Sequence, residues 1–129
     1  MAQVKVFGLK TALDAIKREL SDIVQECLVE AFALPKDKRF QRFFGLAAED
    51  FVYPAGRSER YLILEVSLFE GRSVEAKKGF IRRLYERTHA ELGLSANDLE
   101  ITLFETPRHN WGIRGLPGDE LTLGYTVDV

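Results

Sequence analysis

Apolar residues at Leu13, Ile16, Leu20, Ile23, Val24, Cys27, Leu28, Ala31 and Phe32 recur at steps of three and four. That spacing lays one stripe along a helix and predicts an amphipathic α-helix from Thr11 to Ala33. Thr11 is its expected N-cap, Asp14 lies at its positive end, and Pro35 closes it. A second helix is expected from Ser73 to Leu92, with Val74, Lys77, Ile81, Leu84, Tyr85, Thr88 and Leu92 along its inner side and Gly93 as its stop. On its outer face Arg82 and Glu86, and Arg87 and Glu91, stand one turn apart; such solvated pairs add about 0.2 to 0.5 kcal/mol each.

Strand signals flank each helix, at Gln3 to Phe7, Arg39 to Leu46, Arg60 to Phe69, and Leu99 to Glu105. Along the third, Leu62, Leu64, Val66 and Leu68 share one face, and Tyr61, Ile63, Glu65, Ser67 and Phe69 the other. The long helical connections imply right-handed crossovers between parallel strands. The two halves resemble each other, since Ala33-Leu34-Pro35 and Gly93-Leu94-Ser95 each end a long helix shortly before a strand. The expected fold class is therefore α+β: a duplicated βαβ unit whose four-stranded mixed sheet carries both helices on one face. The other face, with Tyr61, Ile63 and Phe43, is expected to lack cover within the subunit and so to bind a partner. The connection from Ala47 to Glu59 is long for a loop and reads as a binding or interface segment. A last short strand is expected from Thr122 to Val127.

A length of 129 residues suits one domain, 1–129. With 46% hydrophobic and 29% charged residues the composition is that of a globular protein, and no apolar run approaches the roughly 20 residues of a membrane span. A net charge of -2 argues against nucleic acid as partner. No secretory signal pattern opens the chain, so a cytoplasmic location is expected. One cysteine, Cys27, can form neither an internal disulfide nor a cysteine-rich metal site, and it reads as core.

Neither zinc-type spacing, a Walker loop, a dinucleotide fingerprint nor a Gly-x-Ser-x-Gly elbow occurs. No metal and no cofactor are expected. The glycine-rich run from Gly112 to Gly118 is not followed by a helix that could receive a phosphate. His89 and His109 read as structural or surface residues. Arg72 is more informative: it precedes Ser73 at a strand-to-helix junction, where backbone N–H groups favour an anion and a guanidinium can hold a carboxylate at two points; a solvated loop arginine is the alternative at that position. Trp111 and Arg114 could wall a small polar pocket or anchor an interface.

The duplicated βαβ plan, the Leu-Pro-x-x-x-Arg-aromatic-Gln segment at Leu34 to Gln41, and Gly71-Arg72-Ser73 with Lys77 resemble the tautomerase superfamily. The Asn110-Trp111-Gly112-Ile113-Arg114-Gly115 stretch is similar to its malonate semialdehyde decarboxylase branch. The resemblance implies a homotrimer with pockets between subunits near the chain starts, and small carbonyl acids as substrates. Of the family's arginine motif only Arg72 carries over, and the substrate-binding set expected here is Arg72, Arg39, Trp111 and Arg114. Active members of that superfamily use an N-terminal proline exposed by Met removal. Here Ala2 follows Met1 and the earliest proline is Pro35. Loss of Met1 would leave the Ala2 α-amine, ordinarily near pKa 7.7 to 8.0, as a poorer base or Schiff-base former. Lys38 stands where the decarboxylase branch has aspartate, and Glu70-Gly71-Arg72 where it has Arg-Pro-Arg. The expected function is thus that of a tautomerase-like protein of small keto acids with weak or absent activity. The alternative is a noncatalytic assembly protein with a repurposed carboxylate pocket, and a third reading is an unrelated ferredoxin-like dimer.

Overall fold

The computed structural model describes residues 1–124 and Val127. Strand β1 (Ala2–Leu9) runs directly into helix α1 (Lys10–Phe32), and β2 (Gln41–Leu46) follows it. Strand β3 (Leu62–Phe69), helix α2 (Val74–Leu92) and β4 (Leu99–Thr106) repeat the plan. The sheet order is β2-β1-β3-β4, with β1 parallel to β2, β3 parallel to β4, and the two halves joined by antiparallel pairing of β1 with β3. Each crossover therefore returns to the strand beside its own start, and the interleaved order of a ferredoxin-like fold is not the one observed. A two-stranded hairpin, β5 (Gly112–Ile113) with β6 (Leu116–Pro117), follows the sheet.

Both helices cover one face. Val4 and Val6 of β1, and Leu62, Leu64, Val66 and Leu68 of β3, are buried against Leu13, Leu20, Ile23, Val24, Leu28 and Phe32 of α1 and Phe80 and Leu84 of α2. Phe32 meets Phe80 with ring centroids 5.5 Å apart, tying the helices together. Cys27 is buried in the same layer, and burial pushes its thiol up to about 11.

Several local expectations are corrected. Thr11 is not the cap of α1: β1 turns into the helix at Leu9, which offers no side-chain acceptor. Ser73, expected as the first residue of α2, is its N-cap instead, accepting the Ala76 N–H, and Gly93 ends the helix at φ 64. Val74 is exposed and Phe80, omitted from the expected inner side, is buried, because burial on α2 runs along Phe80, Leu84 and Thr88. Arg87 does pair with Glu91, but Arg83 rather than Arg82 reaches Glu86.

The uncovered sheet face also differs in membership. Phe43 pairs in register with buried Val6 and so points to the helices, leaving Phe44 on the open side, stacked on Phe7 at 4.8 Å. Tyr61 is covered within the subunit, because Phe51 and Tyr53 from the long connection pack around it at 5.6 and 5.2 Å. Ser58 fixes that connection by donating from its N–H and Oγ to the buried Asp98 carboxylate. Of the strand expected at Thr122 to Val127, residues 122–124 are irregular, and Tyr125 and Thr126 lie outside the described residues.

Candidate active site at the amino end of the sheet

The strand directions decide where chemistry can gather. Because β1 and β3 are antiparallel, β1 begins beside the end of β3, with Ala2 opposite Leu68. Parallel pairing then brings the start of β2 and the end of β4 to the same edge, with Val4 beside Gln41 and Leu68 beside Glu105. Four loops or termini thus converge there: the chain start, the approach to β2, the β3–α2 junction and the segment after β4.

The amino end is the centre of this cluster. Ala2 is only 7% exposed, and Met1 borders a cavity of about 340 Å³, within the range of small-molecule sites. Leu34, Pro35 and Phe40 form apolar wall from the approach to β2, and Thr122, Leu123 and Gly124 close another side. Lys38 and Arg114 are the charged side chains among the described lining residues. Burial, with the positive charges of Arg72 and Arg108 adding to it, pulls the Met1 α-amine down from 8.0 to about 5. At neutral pH this amine is uncharged and carries a free electron pair.

Arg72 is 5% exposed; its Nη1 donates to the Phe69 carbonyl at 2.9 Å, and its guanidinium lies over the Phe32 ring at 5.6 Å. The turn from β3 into α2 holds it there, through Gly71 at φ 123 and the Ser73 cap. Arg114 reaches the cavity from the hairpin tip. It and Gly115 both have positive φ, 49 and 87, as a two-residue type I′ connection requires. The glycine-rich run is therefore a hairpin.

Arg72 acts on the amine through its charge but is not among the cavity's lining residues, and Arg39 and Trp111 are placed elsewhere. Arg39 bonds Asp22 Oδ1 at 2.7 Å and Ser21 Oγ at 3.2 Å on the flank of α1, while its neighbours Lys38 and Phe40 face the cavity. The segment is held in this alternation by Gln25 Nε2 donating to the Lys38 carbonyl and by Gln41 bonding Ser21. Trp111 donates from Nε1 to Thr106 Oγ1 at 2.7 Å and packs edge-on against Phe69 at 5.0 Å, so its role within the subunit is to seat the hairpin.

Arg108 escaped the sequence reading. It follows Pro107 just after β4, as Arg72 follows Gly71 just after β3, and this parallel between the halves was the available signal. A half-buried ion pair between Lys77 Nζ and Glu105 Oε1, 2.6 Å apart, joins α2 to β4 at the same edge.

Residues 38–114 match the family model described as tautomerase enzyme. The probable tautomerase YrdN of Bacillus subtilis (strain 168) is 28% identical over 99 residues, which are 73% of this chain and 76% of that protein. Among solved structures, malonate semialdehyde decarboxylase superposes with a TM-score of 0.79 at 24% identity, covering 92% of this chain and 99% of that one. A fused 4-OT symmetric trimer gives 0.76 at 26% identity, covering 91% and 96%.

Proposed function

Since this chain belongs to the tautomerase enzyme family, we propose that it binds small keto acids in the amino-end cavity and performs at most slow keto–enol tautomerisation there, with its primary α-amine as base. The observation that carries this reading is the half-buried α-amine itself, lowered to about 5 by burial and by the charges of Arg72 and Arg108. An uncharged amine can take a proton from the carbon next to a carbonyl and return it to another atom of the same molecule, so the reaction is an isomerisation with no net proton. Arg72 and Arg108 supply the positive field that favours the enolate and the substrate carboxylate.

Two features make the reaction slow. A base brought down to about 5 holds a substrate proton weakly. The described cavity lining also offers no carboxylate that could act as acid, because Lys38 occupies the approach to β2. A homotrimer completes the reading. Phe44 and Phe104 remain 38% and 46% exposed on the open sheet face, and the fused 4-OT relative is a trimer. Sedimentation at micromolar concentration should give three times the subunit mass; a monomer overturns the assembly.

The activity is tested with phenylpyruvate and 2-hydroxymuconate, followed by ultraviolet absorbance alongside binding. Wild type should bind phenylpyruvate, with turnover that is slow and abolished by acetylating the α-amine. Arg72→Ala should lose binding. Turnover that survives amine blocking refutes the amine as base, and absence of both binding and turnover leaves the assembly reading in its place. An intact-mass measurement on the same sample reads whether Met1 or Ala2 carries the amine.

A further inference from the structure

We propose that Arg108 is a positioning residue, a latch that fixes the chain segment walling the amino-end cavity; the proposal rests on the reading of that cavity as the site. Its guanidinium makes three hydrogen bonds to the backbone that leads into the wall. Nε and Nη2 donate to the Gly118 carbonyl at 3.2 and 3.0 Å, and Nη2 also donates to the Leu121 carbonyl at 3.0 Å. The next three residues, Thr122, Leu123 and Gly124, are cavity lining. On its other side the guanidinium lies over the Phe69 ring at 5.6 Å, the ring against which Trp111 packs.

The backbone around the latch is built for close approach. Gly118 donates its N–H to the Trp111 carbonyl at 2.7 Å. A Cβ at position 118 would collide with the Arg108 carbonyl oxygen, so only glycine lets the segment fold back this tightly. Among the described residues the wall has little secondary structure to hold it: β6 is two residues long, and after a short 3₁₀ turn at Gly118–Glu120 residues 121–124 are irregular. One side chain therefore supplies much of what keeps residues 118–124 in place. That side chain is also one of the two cations whose field reaches the amine. A planar guanidinium can serve two carbonyls and a ring at once, which a lysine ammonium cannot do in the same geometry.

Arg108→Met and Arg108→Lys separate the latch from the charge. In Arg108→Met, amide hydrogen exchange in residues 118–124 should quicken at least tenfold while exchange in α1 stays at the wild-type rate. The pH midpoint for labelling the α-amine should rise by only part of the interval between 5 and 8, since burial and Arg72 still act on it, and phenylpyruvate should bind at least tenfold more weakly. Arg108→Lys should keep the low midpoint, because the charge remains, yet show the fast exchange. Wild-type exchange at 118–124 in both variants overturns the latch, as does fast exchange in Arg108→Met alone, which would assign the effect to charge. Should Arg108→Met fail to fold, seen as fast exchange in α1 as well, Arg108→Lys decides by its own exchange rate. Failure of wild type to bind phenylpyruvate would remove the proposed function and leave the exchange and midpoint results standing, so the two failures are distinguishable.

Discussion

The α-amine offers the most direct quantitative test. An ordinary chain-terminal amine titrates near 8, and this one is brought to about 5, first by burial and then by Arg72 and Arg108. At pH 6.5 an amine of pKa about 5 is roughly 97% uncharged, whereas one of pKa 8 is roughly 3% uncharged. Brief labelling with acetic anhydride at graded pH, read by peptide mass spectrometry, should therefore show the terminal amine reaching half its maximal reactivity near pH 5. In urea the same amine should return to a midpoint near 8, since neither burial nor the arginines act on an unfolded chain. The thermodynamic sign follows from the same two values. Between about pH 5 and 8 the unfolded chain holds a proton that the folded chain does not, so lowering the pH through this window favours unfolding and raising it restores stability. A native midpoint near 8, or one unchanged by urea, would refute the burial of this group and with it the case for an uncharged base at neutral pH.

Three further outcomes test other parts of the fold. Cys27 is fully buried with its thiol at about 11, so it should resist a thiol reagent at pH 8 in the native protein and react at once in denaturant; fast native labelling would contradict the packing of α1. Leu64 is fully buried at the centre of β3, and Leu64→Ala should cost about 2 to 5 kcal/mol in urea unfolding. Ser73→Ala removes the acceptor for the Ala76 N–H and should cost about 1 kcal/mol, with less than 0.3 kcal/mol indicating that water replaces the cap.

The elements whose pattern is local were legible. Helix α1 carries a clean stripe, Gly93 marks the end of α2, and β3 alternates, so their identities and faces follow from spacing alone. Strand β2 was harder because Phe40, Phe43 and Phe44 put aromatic rings on both faces, and only pairing with β1, Val6 beside Phe43, decides which one the helices cover. Tyr61 was misassigned for a related reason: its cover comes from Phe51 and Tyr53, in a connection with no periodicity to read. The candidate site divides in the same way. The place of Arg72 near the chain start could be read because a strand-to-helix junction is a local feature. Arg39 could not be separated from Lys38 and Phe40, since which of three consecutive side chains faces a cavity depends on Asp22 and Ser21 of α1.

The sheet order explains why the site exists at all. Parallel pairing within each half, seen alone, leaves the relative direction of the halves open. Antiparallel contact between β1 and β3 brings the chain start to the edge where β3 and β4 end. Had β1 met β3 in parallel, Ala2 would lie at the far end of β3, a strand eight residues long and thus roughly 25 Å from Arg72. At that distance, beyond two screening lengths in physiological salt, neither Arg72 nor Arg108 could act on the amine. The depressed amine is thus a consequence of topology before it is a consequence of any single residue, and arginines placed just after β3 and β4 are the side chains that this topology can use.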